Sequence, residues 1–228
     1  MNATPKIGYN QVLKEARQGF RGNSYPLMAR ASLLMAVPAV VLLIRTATDN
    51  YWAYLTIWTL GLVIMGYTSW PLARTALAAV TPGMVAPSED WWVRDGFVRA
   101  SMGFFLTFLI GLLILVIPAL MVAMIYSLYP FCIIEKRAKG MQSLAMSSEW
   151  SRGNRLRILR ILVFCSALFV PALIALNLSN QTDPFMGMEL RDMEMLGILG
   201  FWVFGIPALA FTSVFVAAAY REIAKIKG

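Results

Sequence analysis

The sequence predicts an all-α integral membrane bundle of six transmembrane helices, with amphipathic helices on its cytoplasmic surface. Three observations carry that prediction. Hydrophobic residues make up 59% of the 228 and charged residues 14%, against roughly 45–50% and about 25% in soluble domains, which is more apolar surface than a soluble fold can hide. The apolar residues fall in runs of about 18 or more, enough at 1.5 Å per residue to cross the hydrocarbon core. Eighteen of the twenty Lys and Arg then fall in alternate connectors, which fixes an orientation by the positive-inside rule.

Residues 1–25 read as an amphipathic cytoplasmic surface helix. At 100° per residue Tyr9, Val12, Leu13, Ala16 and Phe20 form one stripe, beside Lys14, Arg17 and Arg21. Such a helix suits either the headgroup boundary of an anionic leaflet or the protein's own cytoplasmic face. Residues 26–228 form the six-span domain. The first span covers about 27–44 and contains Pro38; Arg45 to Asn50 is a short turn, and Tyr51 and Trp52 begin a second span that ends near Pro71. Residues 72–97 are a connector, with a turn at Thr81-Pro82-Gly83 and a helix start at Ser88-Glu89-Asp90. Trp91 and Trp92 read as interface anchors.

Val98 to Ile134 is apolar for 37 residues, about 55 Å as one helix and too long for one crossing. Pro118 near its middle predicts a tight hairpin with spans over 99–117 and 119–134; one kinked, tilted helix is the competing reading. The fifth span covers about 157–176 around Pro171, the acidic loop 177–192 holds Asp183, Glu189 and Asp192, and the sixth span covers about 195–219 around Pro207. The tail 220–228 is basic. Seven of the Lys and Arg lie between Lys136 and Arg160, and only Arg45 and Arg191 fall on the outer side. Both termini are therefore expected in the cytoplasm, with no cleaved signal at the N-terminus.

The residue types exclude more chemistry than they suggest. With no histidine, the usual general base, metal ligand and pH switch are missing. Cys132 and Cys165 lack zinc-ligand spacing and read as buried, reduced thiols. No ionisable residue lies near the middle of a span, where only function would justify its desolvation. The Ser and Thr residues within spans read as back-bonding to their own helices or joining neighbours. Glu89, Asp90, Asp95 and Glu149 read as solvated loop charges, so no enzyme, cofactor or metal site is expected. The net charge of +8 flanks apolar segments, which points to topology and not to nucleic acid. Asn177-Leu-Ser and Asn180-Gln-Thr match a glycosylation pattern that has meaning only in a secretory-pathway protein.

Gln11–Asn23 and Gln142–Asn154 can be laid over each other without a gap. Gln11/Gln142, Leu13/Leu144 and the tripeptides Arg21-Gly22-Asn23 and Arg152-Gly153-Asn154 coincide. Each segment precedes a span with an internal proline. Either a unit of surface helix plus hairpin is repeated in parallel orientation, or two basic membrane-entry segments are alike by chance.

The segment after the fourth span also carries a resemblance. Pro130–Glu135 ends a span, Lys136–Gly140 is a basic-glycine turn, Leu144–Trp150 is an Ala/Leu-rich helix ending in Ser-x-Trp, and Gly153-Asn154 precedes the next span. This pattern resembles YciC-like uncharacterised bacterial six-span inner-membrane proteins. It is also similar to the membrane domain attached to some glycerophosphodiester phosphodiesterases, although Ser148-Glu149-Trp150 departs from the adjacent Ser-Trp of that pattern. The resemblance covers some 35 residues and implies a bacterial inner membrane; no phosphodiesterase domain is present, so that activity does not carry over.

The expectation is a non-catalytic scaffold or accessory subunit that engages anionic lipids, a membrane-protein partner or a second copy of itself through its basic cytoplasmic face. The contact residues expected are Lys14, Arg17, Arg21, Asn23, Lys136, Arg137, Arg152, Asn154 and Arg155. The alternative, motivated by proline in four spans, is a transporter or channel for a small or lipidic solute.

Overall fold

The structure, a computed structural model, describes residues 8–47, 51–81, 83, 91–135, 137–179 and 190–227. All ten regular elements among them are α-helices: α1 (Tyr9–Gly22), α2 (Ser24–Ala47), α3 (Tyr51–Val80), α4 (Trp91–Ile114), α5 (Val116–Tyr126), α6 (Tyr129–Ile134), α7 (Gln142–Ser151), α8 (Arg155–Leu168), α9 (Val170–Ser179) and α10 (Leu190–Lys227). Three helical stretches, Val93–Ile114, Ile117–Ile134 and Leu196–Lys227, are long and apolar enough to cross a membrane. Only 28% of the most apolar window of the first and third is buried within the protein. Helices so apolar and so little covered require an apolar solvent, and the chain is a membrane protein.

The main helix pairs are α2 with α3, α4 with α5, and α9 with α10. The second pair decides between the two readings of the 37-residue run. Leu115 alone is extended, at φ −170° and ψ 156°, and the chain folds back there. The Ser101 and Tyr129 hydroxyls, each fourteen residues from Leu115, meet at 2.9 Å. The run is therefore a hairpin and not one kinked helix. Its turn falls three residues before Pro118, which takes the third position of α5, where a missing N–H costs no helical hydrogen bond. At Gly111 a Cβ would stand 3.0 Å from the Ala119 nitrogen, so the two helices close tightly at the turn.

Several helices outrun the expected spans. α3 continues through Pro71 to Val80, because Leu72, Ala76, Leu77 and Val80 keep helical spacing and are all buried. The Pro71 carbonyl accepts from Arg30 at 3.1 Å and from the Thr75 hydroxyl at 2.8 Å, which pins α2 to α3 beside the proline. The helix ends at the expected turn, where Gly83 takes a φ of 76°. The Ser88-Glu89-Asp90 start and the loop acids Asp183 and Glu189 lie outside the described residues, whereas Asp192, expected in that loop, falls in the first turn of α10. α10 passes Pro207 and the expected end at Ala219 without interruption and reaches Lys227. At about 57 Å it is longer than the roughly 30 Å hydrocarbon core of a bilayer.

Two expected spans are broken. Residues 127 and 128 separate α5 from α6, and Phe169 separates α8 from α9. At the first break Ser147 of α7 restores the ladder: its hydroxyl accepts from the Leu128 N–H at 3.2 Å and donates to the Ile125 carbonyl at 2.9 Å. At the second, Phe169 N–H donates to Ser166 O at 3.0 Å and Leu173 N–H to Phe169 O at 2.9 Å. Pro171 lies just beyond, where it removes one of the donors that would continue the helix.

The core lies towards one end. Fully buried side chains concentrate in the last half of α10 (Val214, Phe215, Tyr220, Ile223), the end of α3 (Ala76, Leu77), the start of α4 (Phe97, Ala100) and the stretch Leu128–Ile134. At the opposite end Leu113, Ile114, Leu115 and Ile117 of the α4–α5 turn are exposed, as are Leu196 and Leu199 of α10. The bundle is tight where it is charged and open where it is apolar.

Candidate functional site: two basic hollows at one end

The last turns of α10 hold the two segments that echo each other in sequence. On one side Lys225 pairs with Glu222 of its own helix and with Glu15 of α1, the latter at 3.2 Å. On the other, the Lys227 ammonium donates to the Glu149 carbonyl at 2.7 Å and reaches the Arg152 carbonyl at 3.5 Å, capping the end of α7. One helix end therefore fixes both α1 and the entry to α8.

α1 forms because its apolar stripe finds a partner. Val12, Ala16 and Gly19 are buried, Tyr9 and Phe20 meet Phe215 and Phe211 edge to face at 5.9 and 5.6 Å, and the helix packs on α10 and α3. At Gly19 a Cβ would come within 2.8 Å of the Ala79 carbonyl oxygen. Of the two expected settings, the stripe takes the protein's own surface, which turns the polar edge outwards. Lys14, Arg17 and Arg21, with Asn10, Gln18, Leu13 and Phe211, line an open hollow of about 680 Å³.

The second hollow, of about 500 Å³, opens at the start of α8. Arg152, Arg155, Arg157 and Arg160 line it together with Gly153, Asn154 and Leu156. Gly153 sits at φ 91°, a left-handed conformation that glycine alone adopts without strain. Asn154, 3% exposed, precedes α8 without a side-chain cap. The Arg155 Nε is shut off from solvent and makes no hydrogen bond. Among the described residues Arg152, Arg155 and Arg160 form no ion pair.

A latch joins three helix ends. Glu135 accepts from the Tyr220 hydroxyl at 2.8 Å and from the Arg137 Nε at 2.7 Å through the same oxygen. The Arg137 guanidinium lies 5.0 Å over the Trp150 ring, and Trp150 stacks on Tyr220 at 5.5 Å. The ends of α6, α7 and α10 are joined by this one carboxylate and one aromatic stack.

The expected contact residues separate on this geometry. Lys14, Arg17 and Arg21 share one hollow; Arg152, Asn154 and Arg155 share the other, where Arg157 and Arg160 join them. Asn23 instead donates its side-chain amide to Gly19 O at 3.2 Å and closes α1. Arg137 is engaged by Glu135 and Trp150, and Lys136 lies outside the described residues. Arg157 and Arg160 had been visible as cluster charges, but only their helix position sets them around one cavity. Tyr220 had no signal, as its carboxylate partner is 85 residues away.

Two backbone hydrogen bonds recur at the echo asparagines, although Gly153 is left-handed and Gly22 ends α1. Asn23 N–H donates to Phe20 O and its carbonyl accepts from Leu27 N–H, at 3.2 and 3.1 Å. At the corresponding positions Asn154 N–H donates to Ser151 O and its carbonyl accepts from Ile158 N–H, both at 3.0 Å. Val12, Ala16 and Gly19 are buried, as are their counterparts Ser143, Ser147 and Trp150.

Both cysteines are buried and free. Asp95 pairs with Arg99 at 2.6 Å on an exposed face of α4, and no group of three or more Cys, Asp and Glu side chains gathers among the described residues. The span hydroxyls largely bond their own helices, as with Thr68 to Ile64 O and Thr107 to Gly103 O. What the site offers is a row of guanidinium and ammonium donors beside an apolar surface. Among known proteins no family model, curated protein or solved structure matches the chain.

Proposed function

We propose that the chain is a non-catalytic, six-span membrane protein, a scaffold or accessory subunit whose basic end engages anionic lipids or a membrane partner. The observation that carries this reading is the pair of basic hollows at one end of the bundle, both held by the last turns of α10. The 18-to-2 division of Lys and Arg supports a cytoplasmic setting for that end and for both termini. The six spans are α2, α3, α4, α5 with α6, α8 with α9, and α10. The resemblance to YciC-like proteins of the bacterial inner membrane accords with this layout. The shared hydrogen bonds at Asn23 and Asn154 support a parallel repeat, in which α1 with α2 and α3 corresponds to α7 with α8, α9 and α10.

Scaffolding is favoured over transport by the way the helix breaks are closed. Transporters use unwound backbone to bind solute, whereas here Ser147 takes up both free groups at the break between α5 and α6. The test is the lipid and protein content of the chain purified in mild detergent. Enrichment of phosphatidylglycerol or cardiolipin over the bulk membrane, or a stoichiometric partner, is expected. A bare monomer whose lipids match the bulk composition would contradict the proposal.

A further inference from the structure

We infer that the hollow at the start of α8 is a dedicated site for the phosphate diester of an anionic phospholipid; the inference rests on the lipid-engaging reading above and gives it an address. Four features converge there. Arg152, Arg155, Arg157 and Arg160 line one cavity of about 500 Å³, and the described residues that line it include no acid. The Arg155 Nε is buried and meets no acceptor of the protein, and an anion in the hollow that Arg155 lines offsets the desolvation of its guanidinium. α8 begins at the cavity with no side-chain cap bond from Asn154, so the positive end of its dipole lies at the same place.

The fourth feature selects a lipid over free phosphate. Leu156 lines the cavity and is 75% exposed. Four and seven residues further on, Arg160 and Val163 share its face of α8, and Val163 is 59% exposed. A phosphate held by the arginines would therefore place its acyl chains along an uncovered apolar strip. The hollow beside α1 has positive charge, but none of its basic groups is buried without an acceptor.

The experiment is native mass spectrometry of the full chain in detergent, titrated with phosphatidylglycerol, phosphatidylcholine and inorganic phosphate. The expected result is binding of phosphatidylglycerol in preference to the other two. It should weaken by about tenfold or more in Arg152→Gln/Arg155→Gln, which removes two charge-assisted donors, and change little in Lys14→Gln/Arg17→Gln. Should the double variant not fold, the exposed Arg160→Gln is expected to weaken binding in the same direction, by about threefold. Equal loss in the α1 and α8 variants would overturn the dedicated site while leaving diffuse attraction to anionic lipid intact. Equal affinity for inorganic phosphate would overturn the lipid assignment. Absence of phosphatidylglycerol binding by the unaltered chain would overturn both readings.

Discussion

At the scale of single residues, a few polar side chains do what an apolar bundle cannot do for itself. Ser147 is fully buried and answers both backbone groups freed where α5 gives way to α6. Replacing it with alanine leaves an N–H and a carbonyl without partners in a dry setting, at a cost of about 1–3 kcal/mol. Ser147→Ala should therefore lower the unfolding temperature in detergent, read as exposure of the Cys132 and Cys165 thiols to a maleimide dye; an unchanged temperature would remove Ser147 from this role. Residues of this kind are the ones a sequence hides. Ser147 lies within a run of small residues, and the break it repairs is 19 positions upstream. Tyr220 ends an alanine-rich run, and its partner Glu135 reads as a boundary charge. Each acquires meaning through a partner distant in sequence, whereas the back-bonding of Thr68 or Thr107 is local and was legible.

At the scale of elements, periodicity and length served well and boundaries less so. The stripe of α1 followed from 3.6-residue spacing, and what it could not choose was the surface it would cover. That choice depends on Gly19, which brings α1 against the α3 backbone. Gly19→Leu should lift α1 and speed tryptic cleavage after Lys14, Arg17 or Arg21 several-fold, while Gly22→Ala, where a Cβ meets nothing within 4 Å, leaves the rate unchanged. Equal rates in the two variants would show that α1 is held by something other than this close approach. The α4–α5 hairpin was legible because 37 apolar residues cannot cross once. Its turn was misplaced by three residues, since a proline marks where a helix can start and not only where one stops. The extensions of α3 and α10 were missed because polar residues interrupt the hydropathy runs there, while the buried stripe continues beneath them.

At the scale of the molecule, the two ends differ in kind. Towards the basic end, aromatic contacts, the Glu135 latch and the two lysine anchors of α10 fasten α1, α6 and α7 into a compact base. Towards the other, leucine and isoleucine side chains face outwards and await lipid. The lysines and arginines that carry the positive-inside signal also line both hollows, so in the proposed reading topology and lipid engagement share the same side chains. Composition and the length of the apolar runs made the all-helical membrane character legible; the gathering of Arg152 to Arg160 around one cavity needed the geometry of Gly153 and the start of α8.

The most direct test of the account is thermal unfolding of the full chain in nanodiscs of phosphatidylcholine alone and of phosphatidylcholine mixed with phosphatidylglycerol, followed through the same buried thiols. Anionic lipid that binds the folded basic end should raise the unfolding temperature, and raised salt should erode the gain as the surface charges are screened. An unfolding temperature indifferent to phosphatidylglycerol at low salt would contradict it.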